Sequence, residues 1–244
     1  MKVRSFAKVA AVTVFALGAV MFVSASLTAS KDQPKSFVIT YRITRSENGQ
    51  MPVDTGLSVK IVSAEGEWKE TKVQMSDSGH PKQVSVRFLD KTAAYNLETD
   101  HLNYSGSSEP VFHRDKIAHT ADWVTSSPLF VKEDSMLGLK VYTTHQDISD
   151  GFVEQAFSPV TRGIPLLYRE RSDNVETTEE AVSVQFRDVS PDEIKPPNLP
   201  ISFEWSKRLE NSMLSNPENA EMVNRLIAER ETVTKKLQAQ GRIK

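Results

Sequence analysis

The residues from Ser36 to Arg45 alternate between large apolar side chains and a second set that is polar except for Val38. The apolar set of this run is Phe37, Ile39, Tyr41 and Ile43. A period of two over this length predicts a half-buried β-strand. Asn48-Gly49 breaks the run, and the alternation resumes at Leu57, Val59 and Ile61. The chain therefore begins its ordered part with strands.

Further short runs with strand character follow, separated by turn residues. They are Trp68 to Met75, Val84 to Phe88, Ala93 to Leu97, Leu102 to Tyr104, Leu137 to Thr144, Phe152 to Phe157, Pro165 to Arg171 and Ala181 to Asp188. Tight turns between short strands predict an antiparallel meander of roughly nine or ten strands. Between Val111 and Trp123 the apolar spacing becomes helical, which predicts a short helix that ends at Ser126-Ser127-Pro128.

The C-terminal part of the chain has a different pattern. Prolines between Pro191 and Pro200 predict a stiff connection, and residues 206–240 have helical spacing. Asn216 followed by Pro217 predicts a capped helix start, and Gly241 predicts its end. The apolar stripe of this helix is Met222, Val223, Leu226, Ile227, Val233 and Leu237. The stripe needs a partner surface, either the chain's own sheet or the helix of another protein.

These patterns together predict a mainly β (α+β) fold. The expected architecture is a curved antiparallel sheet or incomplete barrel with a short inserted helix and a C-terminal helical tail. We expect a β-rich domain over residues 26–205 and a helical segment over residues 206–244.

The N-terminal residues have the layout of a bacterial secretory signal peptide. Lys2, Arg4 and Lys8 are followed by an uncharged, largely apolar stretch. Small residues around Ala25 and Ser26 predict cleavage there, so residues 1–25 are interpreted as the signal peptide and the mature protein as periplasmic or secreted. The alternative is a retained membrane anchor, because the uncharged stretch approaches the roughly 20 residues that span a bilayer.

Composition limits the function further. The chain has no cysteine, which excludes disulfides, thiolate metal sites and a lipidated N-terminal cysteine. Three of its 30 Lys and Arg residues, and none of its 32 Asp and Glu residues, lie in residues 1–25, so the mature chain has a formal charge near −5. An acidic chain is a poor match for a phosphate backbone, and we expect no nucleic-acid partner.

No catalytic or cofactor-binding pattern is apparent in the sequence. The spacing of the ten glycines excludes the dinucleotide fingerprint, the nucleophile elbow and the P-loop. If residues 113–122 are helical, Asp115, His119 and Asp122 share a face that could bind a divalent ion, with His113 off that face. An ordinary solvated helix face explains the same residues better, so no metal, catalytic or cofactor residue is assigned. The remaining histidines are expected at the surface, and Glu176, Glu179 and Glu180 are expected in a solvated loop.

The segment Phe157-Ser-Pro-Val-Thr-Arg-Gly-Ile-Pro-Leu166 resembles exported β-rich proteins of the LolA/LolB-like lipoprotein carrier group. The resemblance would extend over about Ser36 to Trp205. It implies a curved, incomplete barrel that holds a lipid or acyl chain. The chain departs from the LolB type because it has no lipidation site, and from the usual layout because of its long C-terminal helix.

The sequence thus favours an exported, non-enzymatic protein that binds or carries a hydrophobic ligand such as a lipid or an acylated protein. A cell-envelope interaction or structural protein that uses the C-terminal helix on a partner is the main alternative. A metal-dependent hydrolase centred on Asp115, His119 and Asp122 is a third.

Overall fold

The computed structural model describes residues 35–76, 80–109, 111–112 and 120–243. Within these residues the chain forms twelve strands. They are β1 Phe37–Glu47, β2 Val53–Val62, β3 Trp68–Met75, β4 Pro81–Leu89, β5 Ala93–Leu97, β6 Leu102–Ser107, β7 Phe130–Met136, β8 Leu139–Ile148, β9 Gly151–Phe157, β10 Pro165–Ser172, β11 Val175–Phe186 and β12 Ile201–Ser202. The helices are α1 Asp122–Thr125, α2 Pro191–Ile194, α3 Glu204–Leu214 and α4 Ala220–Ala239, with 3₁₀ turns at Pro159–Thr161 and Pro217–Asn219.

All twelve strands belong to one open sheet in the order β12-β6-β5-β4-β3-β2-β1-β11-β10-β9-β8-β7. Neighbouring strands are antiparallel except β12, which pairs in parallel with β6. The guanidinium of Arg162, between β9 and β10, donates to the carbonyls of Ser63 and Ala64 after β2 at 3.0 and 2.7 Å, so these two turns are in contact although β1 and β11 lie between β2 and β10 in the sheet. The predicted fold class, mainly β with an open sheet and a C-terminal helix, is confirmed.

The strand predictions agree with the structure at most positions. Trp68–Met75 and Ala93–Leu97 match at both ends. The sequence interpretation missed β7 and placed Leu137 in a strand, which is wrong, because Leu137 and Gly138 form the turn between β7 and β8. Both have positive φ, 52° and 76°, as a two-residue hairpin turn requires. Strand β7 was missed because its charged residues leave no alternation of apolar and polar positions. Such charges are typical of an edge strand.

Two further interpretations are corrected. Glu176, Glu179 and Glu180 do not lie in a loop but inside β11, which pairs with β1 and β10 on either side. The connection after β11 contains helix α2, whose start is capped by Ser190 and Glu193. Glu193 also receives two hydrogen bonds from Arg187, so this turn is fixed by charge as well as by proline.

The largest buried cluster lies around the start of β1. It comprises Phe37, Ile39, Tyr41, Val62, Val141, Ala156, Leu166 and Ala181. A second cluster, beneath the C-terminal helix, comprises Phe88, Ala93, Tyr95, Leu102, Tyr104, Val233 and Leu237. The C-terminal helical tail thus packs on the chain's own sheet through Val233 and Leu237, as the first of the two sequence alternatives predicted.

The tail consists of two helices rather than one. They are separated at Asn216-Pro217, where the Asn216 side chain accepts a hydrogen bond from the Glu218 amide at 3.0 Å. The predicted cap is confirmed there. Arg230 of α4 forms an ion pair with the buried Glu210 of α3, and Ser206 donates to the same carboxylate at 2.7 Å. This pair fixes the two helices against each other.

Candidate functional site

Strands β2, β3 and β4 carry a row of partly exposed apolar side chains on one face. Leu57, Val73 and Val84 stand directly opposite one another across the three strands. Leu57 is 46% exposed and Val84 is 58% exposed. We call this surface the apolar strip, which comprises Leu57, Val59, Ile61, Val73, Val84 and Val86. Paired residues share a face, so the six side chains form one continuous patch.

On the opposite face, β2 and β3 carry buried polar residues, whereas Ser85 and Arg87 of β4 are exposed. Ser58 of β2 is fully buried, and Glu70 of β3 is only 4% exposed. Glu70 accepts a hydrogen bond from the Ser58 hydroxyl at 3.3 Å and pairs with the Lys60 ammonium at 3.3 Å. Beside them, Lys72 pairs with Glu179 of β11 at 2.5 Å. The middle of β2 and β3 therefore reverses the usual arrangement, in which the apolar face is buried and the polar face is solvated.

The charged groups on the buried face determine the protonation states of Glu70 and Tyr41. Burial alone would raise the pKa of Glu70, but Lys60 and Lys72 outweigh it, and the carboxyl pKa is held below its usual range. Burial raises the pKa of the Tyr41 hydroxyl well above its usual value, and Glu70 and Glu179 raise it further. The Tyr41 hydroxyl is neutral and donates to the carbonyl of Pro165 at 2.8 Å. Each buried carboxylate thus has a cation, and the polar face is a stable arrangement.

The apolar strip continues beneath the C-terminal helix. Val86 packs against the cluster that contains Phe88, Val233 and Leu237. Phe88 is the next residue of β4 on the same face as Val86, and α4 covers it. Helix α4 therefore borders the apolar strip on the β4 side. The strip and this side of α4 together form an open apolar surface.

A cleft of about 530 Å³ lies at one end of β3 and β4. Its lining is Glu67, Leu89, Asp90, Pro191, Ile194, Lys195, Pro196, Pro197, Asn198 and Arg242. Arg242, just after α4, pairs with Asp90 at 2.7 Å and also donates to the Tyr95 hydroxyl at 3.1 Å. The volume falls within the range of small-molecule sites.

The metal-site hypothesis remains a prediction. Asp115, His119 and His113 lie outside the described residues, while Asp122 is exposed at the first position of α1. In the described part of the chain, no cluster of three or more potential metal ligands occurs. The described helices include none with the length and apolarity needed to cross a membrane. Residues 1–25, interpreted as the signal peptide, also lie outside the described residues.

Sequence reasoning did not find the apolar strip. It recognised that Leu57, Val59 and Ile61 alternate with Ser58 and Lys60, but the alternation does not tell which side is buried. A signal was nevertheless available in the sequence. Adjacent strands both carry apolar residues at alternate positions, and the positions between them are charged or polar.

The chain matches no protein-family model and no curated protein sequence. Several solved structures are similar to it. Two crystal forms of PNGF-II give TM-scores of 0.44 and 0.42 at 11% identity, over 73% and 71% of this chain. The chain covers only 34% and 32% of those two proteins' length.

Two smaller proteins are covered almost completely. A β-barrel-like protein of a domain of unknown function from Brucella abortus gives a TM-score of 0.36 at 9% identity, over 64% of this chain and 99% of that one. A LolA superfamily protein from Nitrosomonas europaea gives 0.33 at 6% identity, over 67% and 91%. The resemblance to LolA-like proteins is thus confirmed as a likeness between structures. At these TM-scores we base no functional inference on it.

Proposed function

We propose that the mature chain is an exported, non-enzymatic protein that binds a hydrophobic ligand, such as a lipid or an acyl chain, on the apolar strip. The observation that carries this proposal is the exposed apolar strip on β2 to β4, together with the reversed polarity of β2 and β3. Leu57 and Val84 are about half exposed, while Ser58 and Glu70 on the other face are buried. Covering a contiguous apolar surface is favourable by roughly 25 cal/mol per Å², so this surface favours an apolar ligand.

The proposal is tested by binding of a hydrophobic dye and by mass spectrometry of lipids that co-purify with the protein. The test variant is Leu57→Gln/Val84→Thr, which keeps side-chain size and makes the apolar strip polar. The control is Leu129→Gln/Val131→Thr, two exposed apolar residues at β7, on the edge of the sheet far from β3.

We expect the test variant to lose most dye binding and co-purified lipid, and the control to behave like the unchanged protein. Equal binding by both variants, or absence of any lipid and any dye uptake in the unchanged protein, would contradict the proposal.

Export is part of the same proposal. The basic residues Lys2, Arg4 and Lys8 followed by an apolar stretch support it. An intact mass that begins at Ser26 or Leu27 after expression in a bacterium is the expected result. An intact mass that includes Met1, in a protein recovered from membranes, would instead favour a retained anchor.

A second candidate is an envelope protein that binds a partner through its C-terminal helices. The observation in its favour is that Trp205, Leu209 and Met222 on α3 and α4 are exposed apolar residues. Removal of residues 206–244 separates the two candidates. A folded, soluble truncation would favour a partner-binding tail, whereas aggregation would show that the tail is needed to cover Tyr95 and Leu102.

A further inference from the structure

The cleft at the end of β3 and β4 lies beyond the end of the apolar strip. Lys69 and Phe88 stand opposite each other in the row that ends the strip, where α4 covers Phe88 and Lys69 stays partly exposed. Glu67, two residues before Lys69, and Asp90, two residues after Phe88, line the cleft. Two residues of a strand span about 7 Å, so the cleft opens one side-chain row beyond the strip.

The charges around the cleft are only partly neutralised. The Asp90 carboxylate is fully engaged, since it pairs with Arg242 and accepts from the amides of Thr92 and Ala93 at 2.7 and 2.9 Å. Within the described residues, neither Glu67 nor Lys195 forms a salt bridge. The cleft therefore offers one negative and one positive side chain to a ligand.

The environment of Glu67 favours a cation beside it. Burial raises the pKa of its carboxyl, Lys91 opposes this, and the nearby Glu65 and Asp90 raise the pKa again. The Lys91 ammonium is bound to Glu65. A positively charged ligand group beside Glu67 would offset the burial of its charge and the repulsion from its acidic neighbours.

The positive side of the cleft can receive an anionic group. Lys195 is exposed on the proline-rich connection, and Lys69, at the end of the strip, has its ammonium 5.9 Å from the Phe88 ring centre. Among the described residues, Lys69 has no carboxylate within salt-bridge distance. Lys195 lines the cleft and Lys69 stands in the row between the cleft and the apolar strip, so either cation can pair with an anionic group.

Resting on the proposed function, we propose that the ligand is a zwitterionic amphiphile. Its apolar chain lies on the apolar strip, and its head lies in the cleft with the cationic group beside Glu67 and the anionic group beside Lys195 or Lys69. The prolines and Leu89 supply apolar contact for the linking atoms of the head.

Three probes test this assignment by calorimetry with the full mature chain, each below its micelle-forming concentration. Dodecylphosphocholine has the zwitterionic head and one chain, dodecyl maltoside has the same chain with an uncharged head, and glycerophosphocholine has the head without the chain. We expect dodecylphosphocholine to bind about five-fold more tightly than dodecyl maltoside, as one or two partly exposed ion pairs allow. Glycerophosphocholine should bind far more weakly than either.

The variants Glu67→Gln and Lys195→Gln should remove the preference for dodecylphosphocholine and leave dodecyl maltoside unaffected. Glu218→Gln is the matched control, because Glu218 is an exposed carboxylate in the turn before α4 and is not part of the cleft lining. It should keep the preference.

The outcomes separate the two proposals. Equal affinity for the two chain-bearing probes, unchanged in Glu67→Gln, would overturn the zwitterionic assignment and leave the apolar strip as the binding surface. Tight binding of glycerophosphocholine alone would overturn the assignment by showing a separate polar site. Failure of both chain-bearing probes to bind would overturn the proposed function itself.

Discussion

The buried carboxylate of Glu70 provides a direct test of the reversed polarity of the sheet. Its side chain is 5% exposed, and its pairing partner Lys60 is 18% exposed. Replacement by alanine removes the carboxylate paired with Lys60 and leaves Lys72 and Arg87 as neighbouring positive charges. Breaking a buried ion pair by removing one partner costs about 3–5 kcal/mol.

We expect Glu70→Ala to lower the free energy of unfolding by about 3 kcal/mol, at the lower end of that range, because the Lys60 ammonium retains some access to water. The double variant Lys60→Met/Glu70→Leu removes both charges and should recover most of this loss. Urea denaturation followed by tryptophan fluorescence measures both effects. Glu65→Ala, at an exposed carboxylate near the same strand, is the control and should show no comparable loss.

The pH dependence provides an independent measurement of the same interaction. The folded pKa of Glu70 is lower than its value of about 4.5 in the unfolded chain. Its contribution is therefore fully present above that value and is lost as the pH falls through the folded pKa. The stability difference between the unchanged protein and Glu70→Gln should shrink as the pH falls below about 4.5 and on through the lower folded pKa. A Glu70→Ala variant as stable as Glu65→Ala, or a difference that does not change with pH, would refute a buried, paired Glu70.

Three further outcomes are expected. Leu237→Ala should cost about 3 kcal/mol in urea denaturation, because Leu237 is fully buried against the sheet, whereas Leu214→Ala at an exposed position should change little. Asn216→Ala should cost about 1 kcal/mol in the same assay through loss of the cap between the helices. In a spectrophotometric titration the Tyr104 phenol should ionise with a pKa of about 12, raised first by burial, and Leu237→Ala should lower that value by admitting water.

The strands were largely predictable because local patterns determine them. The alternation of Phe37, Ile39 and Tyr41 predicted β1, and the buried side is the predicted one. Strand β11 was more difficult, because Glu176, Glu179 and Glu180 resemble a solvated run. These glutamates are compatible with a central strand only because cations from other strands reach them, as Lys72 reaches Glu179. Pairs separated by more than a hundred residues leave no local pattern.

The candidate site was less predictable for a similar reason. An alternating strand has two faces, and its sequence does not determine which one the rest of the chain covers. In β2 the covered face is the polar one, since Ser58 and Lys60 lie on the buried side with Glu70. The cleft depends on Glu67 and Lys195 being brought together from positions far apart in the chain.

The reversed polarity of β2 and β3 is set by their neighbours in the sheet. Strand β1 buries Ile39 and Tyr41, and their register partners in β2 are Lys60 and Ser58. Because side chains paired across the register share a face, β2 must turn these polar residues inward and Leu57 outward. If β2 were shifted by one residue relative to β1 and β3, Leu57 and Val59 would be buried, but Lys60 would be separated from Glu70. The exposed apolar strip is therefore built into the register of the sheet, and a bound apolar ligand would supply the cover that the chain itself does not provide.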